Sequence, residues 1–479
     1  MNRPWLPAHA LWLALLAGCA SAPAVPVTPP EKGSAGERAL PAEGDPLTLS
    51  PTQRRDELHL LLEVIQSSYA HLELKRREYG LDLGKLEAQY LAELERARTW
   101  RDYERVFVEL ITGFHDTHLT WRRKRGAGET KRRGERLGLD TRWVPAPGAD
   151  ALVVAHAWPG SNAEKKGVLP GDRVLALDGV LIEERFSRWL PLRSYSRLAG
   201  ARTEFAEGAW AFQRVPKTSA TAPRKLRLER DGKILELDVL PETSGRPGRK
   251  GPKVTLTHVR GVPVLRVSSL LVPHKELPAE LDDLARTLLK ESRLVVDLRG
   301  NPGGYAQSAD VVATRLLGQK RAVRTLRHLL SERALEERRH LRKVARDPAN
   351  PAWSVPLPVT LDVPPEWKRP PAPPLQIVVL TDAGCESACE LLALALASTE
   401  RALVLGEATG GASGGPLKLE LPHSHAFVRI PSWATYDMRG RPIEGHGLEP
   451  DEIVRTTRDD VRTGRDTVLE RALDRVLGN

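Results

Sequence analysis

Cysteine is almost missing from this chain: three residues in 479, at positions 19, 385 and 389. One falls in the N-terminal leader, and the two that remain make no disulfide framework. Long apolar runs are missing as well. Leu11 to Leu16 forms a short one near the start, too short for a permanent membrane span, which needs about 20 residues, and no other segment is long and apolar enough to span. Bulk disorder does not fit a composition of 41% hydrophobic and 28% charged residues, which is close to the globular average. The net charge of +10 comes from 72 basic and 62 acidic residues, so neither sign is scarce. Much of the excess sits in Arg122, Arg123, Lys124, Arg125, Lys131, Arg132 and Arg133, opposed only by Glu129. That run carries no aromatic and is broken by Gly126, Ala127 and Gly128. It reads as a solvated basic loop rather than a nucleic-acid interface, with anionic membrane contact as a minor option. No nucleic-acid partner is expected.

What is present begins at the N-terminus. Arg3, the short apolar run and Leu16-Ala17-Gly18-Cys19 read as a signal segment over residues 1–18. The tetrad resembles the lipobox of bacterial lipoproteins, which implies a lipid on Cys19 and attachment to the cell envelope. Ala20, where an Asp would favour inner-membrane retention, leans toward the outer membrane facing the periplasm. A plain secretory signal with an incidental cysteine is the alternative. Residues 19–50, rich in Ala, Pro, Gly and Ser, read as a flexible tether.

A chain of this length exceeds one compact core, so several domains are expected. Over 51–125 the pattern is helical. Leu58, Leu61, Leu62, Ile65 and Tyr69 share one face, and Asp82-Leu83-Gly84 breaks the run. Further helices pass through Leu86 to Ala97 and from Trp100 to Ile111, ending at Gly113-Phe114-His115-Asp116-Thr117-His118. Over 135–243 short strands alternate with Gly and Pro turns. The order of Ser161 to Gly179 resembles a PDZ domain of bacterial proteases. The resemblance puts a peptide-carboxylate loop at Leu137, Gly138 and Leu139, where a peptide would add a strand. Residues 182–224 exceed a minimal domain of that kind and receive no assignment. Over 254–455 strands alternate with helices, as in an α/β core. A charged helix at Ser331 to Arg346 and a Pro-rich stretch at 348–374 read as an insertion near 319–374. A C-terminal helix is expected within 456–479.

The chemistry concentrates at Ser387. A buried strand through Leu380 runs into Thr381-Asp382-Ala383-Gly384-Cys385-Glu386-Ser387, and a helix opens at Ala388. A serine at such a turn can be a nucleophile whose neighbouring amide faces an oxyanion, or merely an N-cap. Packing in the turn is the default for Cys385 and Cys389, with a local disulfide as the alternative in an oxidising compartment. Cys385 as nucleophile is a remote alternative. After another buried strand comes Asp297-Leu298-Arg299-Gly300-Asn301-Pro302-Gly303-Gly304, whose paired glycines allow close backbone approach.

With Ser387-Ala388-Cys389-Glu390, Gly406-Glu407-Ala408-Thr409 and Glu444-Gly445-His446-Gly447 to Pro450-Asp451, the chain resembles the tail-specific (C-terminal processing) serine peptidases over roughly residues 51–455. That superfamily includes tricorn-core and retinoid-binding-protein-like branches. The resemblance implies a multidomain α/β protein: an N-terminal helical domain, a PDZ-like β-rich domain and a protease core of the ClpP/crotonase type. It makes Ser387 the nucleophile and gives the oxyanion amides to Gly303 or Gly304 and Ala388. One departure matters. Many members place a lysine after Gly-Glu-x-Thr-x-Gly, and here Ala412 stands in that slot. Lys418 lies six residues further on. Other branches use a histidine that closes the helical domain and a glutamate before Gly-x-Gly. By that resemblance His118 is the base, Glu444 orients it, and Thr117 is a possible helper. His446 is the competing base. His115 and His118 could share a metal, but no third ligand is apparent, and His423 and His425 read as surface residues. Neither metal nor organic cofactor is expected. The expected substrates are unfolded or C-terminally exposed polypeptides, and a non-catalytic ligand binder or a PDZ scaffold are the rival functions.

Overall fold

A computed structural model describes residues 46–123, 136–207, 210–212, 222–242, 252–368 and 375–478. The signal segment, Cys19, most of the tether and the basic run from Lys124 onward lie outside the described residues. None of the described helices is long and apolar enough to cross a membrane.

The first unit holds α1 (Pro51–Ser68), α2 (Leu72–Tyr79), α3 (Leu83–Arg96) and α4 (Trp100–Thr112). Ser50 and Gln53 form a capping box that starts α1, with Pro51 in the first turn. Leu58, Leu61 and Ile65 of α1 share a core with Tyr103, Phe107 and Leu110 of α4. The first helical break comes earlier than the sequence pattern suggests, at Tyr69 to His71. The Ala70 amide donates to the Pro431 carbonyl at 2.9 Å, a contact made across most of the chain's length. Asp82, expected to be the break, instead caps α3 by accepting the Gly84 and Lys85 amides. Strand β1 (Thr120–Arg122) then leaves the helices and pairs antiparallel with a distant strand, Thr120 opposite Arg429. The helical core continues into Leu419, Leu421, Val428 and Ile430. The helices are thus joined to the third unit by both a strand and an apolar cluster.

The second unit contains β2 (Leu139–Val144), β3 (Ala151–Ala157), α5 (Asn162–Lys165), β4 (Arg173–Leu177), β5 (Val180–Leu181), α6 (Ile182–Trp189), α7 (Leu198–Glu207), β6 (Arg224–Arg230) and β7 (Lys233–Val239). Its sheet runs β2-β3-β4-β6-β7, antiparallel throughout. The segment without assignment from sequence supplies α6 and α7. Phe186, Trp189 and Phe205 from these helices meet Trp143 of β2 in one aromatic cluster, with Phe186 and Phe205 5.2 Å apart. Thr141 Oγ1 also donates to the Ala206 carbonyl at 3.1 Å, so α7 lies against β2.

The third unit begins with β8 (Val254–Val259), β9 (Val262–Val267), α8 (Leu277–Leu288), β10 (Arg293–Asp297), α9 (Ala306–Leu317), β11 (Arg321–His328), α10 (Glu332–Glu337), β12 (Arg346–Asp347), β13 (Asn350–Ser354) and β14 (Leu357–Leu361). It continues with β15 (Gln376–Thr381), α11 (Ala388–Ala397), β16 (Ala402–Gly406), β17 (Pro416–Glu420), β18 (Phe427–Pro431), β19 (Trp433–Tyr436), β20 (Glu452–Ile453), α12 (Arg458–Thr463) and α13 (Thr467–Leu477). The main sheet runs β20-β16-β15-β10-β9-β8, parallel except for β8. Alternate residues serve its two faces. Leu294, Val296, Ile377 and Val379 meet α8, α9 and α11, whereas Val295, Val378 and Leu380 meet α13. Strands buried on both faces read as unbroken apolar runs, which is why they were visible in the sequence.

The region around 319–374 departs from expectation. The charged helix is only α10 and a following 3-10 turn at Arg339–Lys343. Arg338 ends α10, and its guanidinium reaches the Ser432 hydroxyl and the Gly415 carbonyl. The Pro-rich stretch supplies β13 and β14, and β11 pairs with both β14 and β19. This region is woven into the core rather than appended to it.

Candidate active site

Strand β15 ends at Thr381, and a tight turn lifts Ser387 to the start of α11. Ser387 sits at φ 58°, ψ −119°, a conformation non-glycine residues rarely adopt. Three contacts hold it there. Asp382 Oδ1 accepts the Gly300 amide at 2.8 Å and the Gly384 amide at 3.0 Å, tying the turn to the glycine loop after β10. The Ser387 amide donates to Glu390 Oε2 at 2.9 Å. Cys385 and Cys389 form a disulfide across the turn, the alternative to free packing. Glu390 is fully buried and also accepts Thr409 Oγ1 at 2.6 Å and the Gly411 and Ala412 amides at 2.8 Å each. Burial pushes its carboxyl up to about 7 against these four donors.

The glycine loop presses against the serine. A methyl group at Gly303, where φ is +83°, would lie 2.4 Å from the Glu386 carbonyl oxygen and 2.9 Å from the Ala388 nitrogen. The Gly303 amide, however, donates to Asn301 Oδ1 at 2.9 Å. Of the three amides considered for an oxyanion, those of Gly304 and Ala388 have no acceptor recorded among the described residues. Gly303 contributes close approach, and its N–H is already engaged.

His118 arrives from the helical unit. Its Nε2 lies 3.0 Å from Ser387 Oγ, and its Nδ1 lies 3.0 Å from the Ser413 carbonyl oxygen. A carbonyl oxygen can only accept, so Nδ1 carries the proton and Nε2 is left as the acceptor for the serine hydroxyl. Burial lowers His118 below its ordinary value, and Asp116 opposes that shift. His71 also meets the Ser413 carbonyl, at 3.3 Å from Nε2, and burial takes it down to about 4.

Two expected roles come out differently. Glu444 is buried below the site but does not contact His118. Its Oε1 lies 2.8 Å from Lys75 Nζ, and its Oε2 accepts the Ser413 amide at 2.9 Å. Burial, then Asp116, push Glu444 upward, and Lys75 pulls it back. Burial alone would lower the Lys75 ammonium, but Glu444 and then Asp116 together outweigh it and hold it above its ordinary value. Glu444 therefore reaches His118 only through residue Ser413. Thr117 faces away from the serine as well: its Oγ1 accepts the Ser196 amide at 3.0 Å. It fastens the segment before α7 to the histidine loop. Arg197 Nη1 adds a 2.5 Å bond to the Thr409 carbonyl, and a methyl at Gly200 would lie 2.8 Å from Glu386 Oε1. The second unit thus touches the loops on both sides of Ser387.

The other candidates lie elsewhere. Lys418 is exposed on β17, over the Phe427 ring. His446 meets the Glu444 carbonyl and Glu78. His115 packs between the Tyr79 and Tyr195 rings, and His425 pairs with Glu420 near the β17–β18 turn, with the His423 amide bonded to Glu57. Ala412 is buried and offers only its amide. Leu137 and Leu139 are buried, and the Gly138 carbonyl accepts the Trp158 amide at 2.7 Å. His71, Asp116 and Glu444 bring one potential ligand atom each within 4.8 Å of one another. Both carboxylates there are already hydrogen-bonded, and Lys75 puts an ammonium on Glu444, so the cluster reads as a hydrogen-bond network.

Sequence reasoning missed Tyr69, Lys75, Ser413 and Glu390. Glu390 was findable, since a serine followed three residues later by glutamate is a capping-box pattern. Lys75 was not: it lies in Leu-Glu-Leu-Lys-Arg-Arg-Glu-Tyr, which reads as a solvated helix face.

Comparison with known proteins places the core in a family. Residues 262–454 match peptidase family S41, so the core is a peptidase family S41 domain. A carboxyl-terminal-processing protease of Picosynechococcus sp. is 26% identical over 325 residues, which is 67% of this chain and 65% of that protein. The chain therefore spans slightly less than two thirds of that relative's length. A carboxyl-terminal-processing protease of Synechocystis sp. is 24% identical over 360 residues, 75% of this chain and 71% of the relative. Among solved structures, mature CPAF superposes with a TM-score of 0.66 at 15% identity, covering 88% of this chain and 96% of that one. Its complex with lactacystin gives 0.64 at 14% identity, covering 89% and 97%. These two structures share the fold.

Proposed function

We propose that this chain, whose core is a peptidase family S41 domain, is a serine endopeptidase of the Ser-His type. The observation that carries the reading is the two-sided engagement of His118, with Nδ1 on a carbonyl and Nε2 on Ser387 Oγ, each at 3.0 Å. Ser387 Oγ attacks the substrate carbonyl carbon as His118 Nε2 takes its proton. The Ala388 amide and the glycine loop, Gly304 in particular, face the oxygen that becomes negative. His118 then returns the proton to the leaving amine, and water releases the acyl group by the same route. Glu444 acts at one remove by holding the Ser413 amide.

Substrates are unfolded or C-terminally exposed polypeptides. The sheet unit over 136–242 acts as a PDZ-like module that presents them, and the contacts of Ser196, Arg197 and Gly200 connect it to the catalytic loops. The protein works in the bacterial envelope, held there by lipid on Cys19. Purified protein, Ser387→Ala and His118→Ala should be incubated with an unfolded protein and a pool of peptides with free C-termini, with products read by mass spectrometry. Cleavage by the unaltered chain alone supports the proposal. Absence of cleavage by all three over a broad pH range would sink it in favour of ligand binding.

A further inference from the structure

Once His118 takes the serine proton, a cation stands in a largely desolvated site, and a buried cation needs an opposite charge nearby. Two carboxylates are within the network. Glu444 has Lys75 at 2.8 Å, both side chains being almost wholly inaccessible, so its charge is largely cancelled where it sits. Asp116 has no ion pair recorded among the described residues, and it is completely buried. Its Oδ1 accepts the His118 amide at 2.7 Å and the Leu119 amide at 3.2 Å, and its Oδ2 accepts the Tyr69 hydroxyl at 2.8 Å.

The groups facing His118 can be counted. Asp116 comes from its own loop, Lys75 and His71 from α2 and its start, Glu444 from the loop after β19, and Arg429 from β18. His71 is neutral above about pH 4. The Lys75–Glu444 pair contributes no net charge, and exposed Arg429 opposes a second cation. Asp116 acts on Lys75 as well, but Glu444 holds the contact with that ammonium, so Asp116 is the carboxylate left without an ion pair among the described residues until His118 becomes protonated. Asp116 is also the foremost influence raising His118 against its burial.

We propose that Asp116, rather than Glu444, supplies the negative charge that stabilises the His118 imidazolium, while the Lys75–Glu444 pair positions the Ser413 carbonyl. Asp116 touches neither substrate nor reacting atoms, so it is a positioning residue. The assignment rests on the peptidase reading above.

The test is the pH dependence of kcat and KM for the full protein on a peptide it cleaves, with Asp116→Asn, Tyr69→Phe, Lys75→Met/Glu444→Gln and Ser387→Ala beside it. Asparagine keeps an acceptor for the His118 amide while removing the charge, and its NH2 replaces the oxygen that accepted the Tyr69 hydroxyl, which can accept in turn. In Asp116→Asn the plateau kcat should fall about 10- to 100-fold with KM nearly unchanged. The acid limb of kcat/KM should move to lower pH, because the group that raised His118 has gone. Glu444→Gln alone would leave the Lys75 ammonium unpaired, so the pair is removed together: Lys75→Met/Glu444→Gln, which keeps the net charge, should lower kcat with the limb in place. Tyr69→Phe keeps the charge and should not move the limb downward. An unmoved limb in Asp116→Asn, or a downward move in Lys75→Met/Glu444→Gln or Tyr69→Phe, overturns the proposal. A downward move in Tyr69→Phe or in the double variant overturns it even if Asp116→Asn does not fold. Ser387→Ala separates the two ideas: cleavage persisting there overturns the peptidase reading itself.

Discussion

The two halves of the site are built in opposite ways. The serine half is local. Ser387, the amide of Ala388, Glu390 and the disulfide all fall within six residues, and the loops that close on them belong to the same parallel sheet. The histidine half is assembled from afar. His118 hangs from the helical unit, yet its ring is set by Ser413, which is held by Glu444, which is held by Lys75 of α2. A nucleophile can be prepared by backbone geometry alone, whereas a base must be aimed and electrostatically matched by groups the fold brings together.

The largest effects break that comparison at its junction. Ser387→Ala should reduce peptide cleavage to background, and His118→Ala should cost roughly a thousandfold in kcat, assayed by single-turnover product analysis. In the same assay Lys418→Ala and His446→Ala should stay within about twofold of the unaltered chain, since surface changes away from the chemistry have small effects. Loss of activity in Lys418→Ala would mean that the base is not on the helical unit at all.

The difference also explains what was legible. The serine half could be read because a buried strand, a turn and a helix follow one another in the chain, and because Asp297 to Gly304 sits after a second apolar strand. The core sheet showed itself for the same reason, through Leu294 to Asp297 and Ile377 to Leu380. His118 was singled out through resemblance rather than pattern. Its partners were hidden because Tyr69 looks like one more apolar residue of α1 and Lys75 like one more surface charge. Glu444 was found but given a direct contact that the fold assigns to the Ser413 carbonyl. The link from Thr117 to Ser196 was invisible because the segment carrying Ser196 has no regular pattern of its own.

Beneath the serine, Glu390→Ala should be the most destabilising change in the local half. It would strip acceptors from the Ser387, Gly411 and Ala412 amides and from the Thr409 hydroxyl. Buried donors left without partners are costly, so a loss of roughly 3 kcal/mol or more is expected in denaturant unfolding. A loss below about 1 kcal/mol would mean that water or a shifted loop replaces the carboxylate, and that the elbow is less dependent on it than the geometry implies.

The smallest effect expected lies where the two halves meet the second unit. Glu386 keeps some surface open to solvent, but its carboxyl end is enclosed by Gly200 of α7 and by Gly410. Burial, followed by the negative neighbours Glu390, Glu204, Asp382 and Glu207, pushes it up to about 8 from an ordinary 4.5. A carboxyl with a raised value in the folded state binds its proton more tightly there than in the unfolded chain. Its contribution to stability is complete below about 4.5 and is lost as the pH rises through about 8. Glu386→Gln removes that term while keeping the side chain's shape. Melting curves from pH 4 to 9 should therefore decline less steeply for the variant than for the unaltered chain, with the gap widest at the alkaline end. Parallel curves would mean that Glu386 is solvated in solution and that α7 does not stay pressed against the catalytic turn.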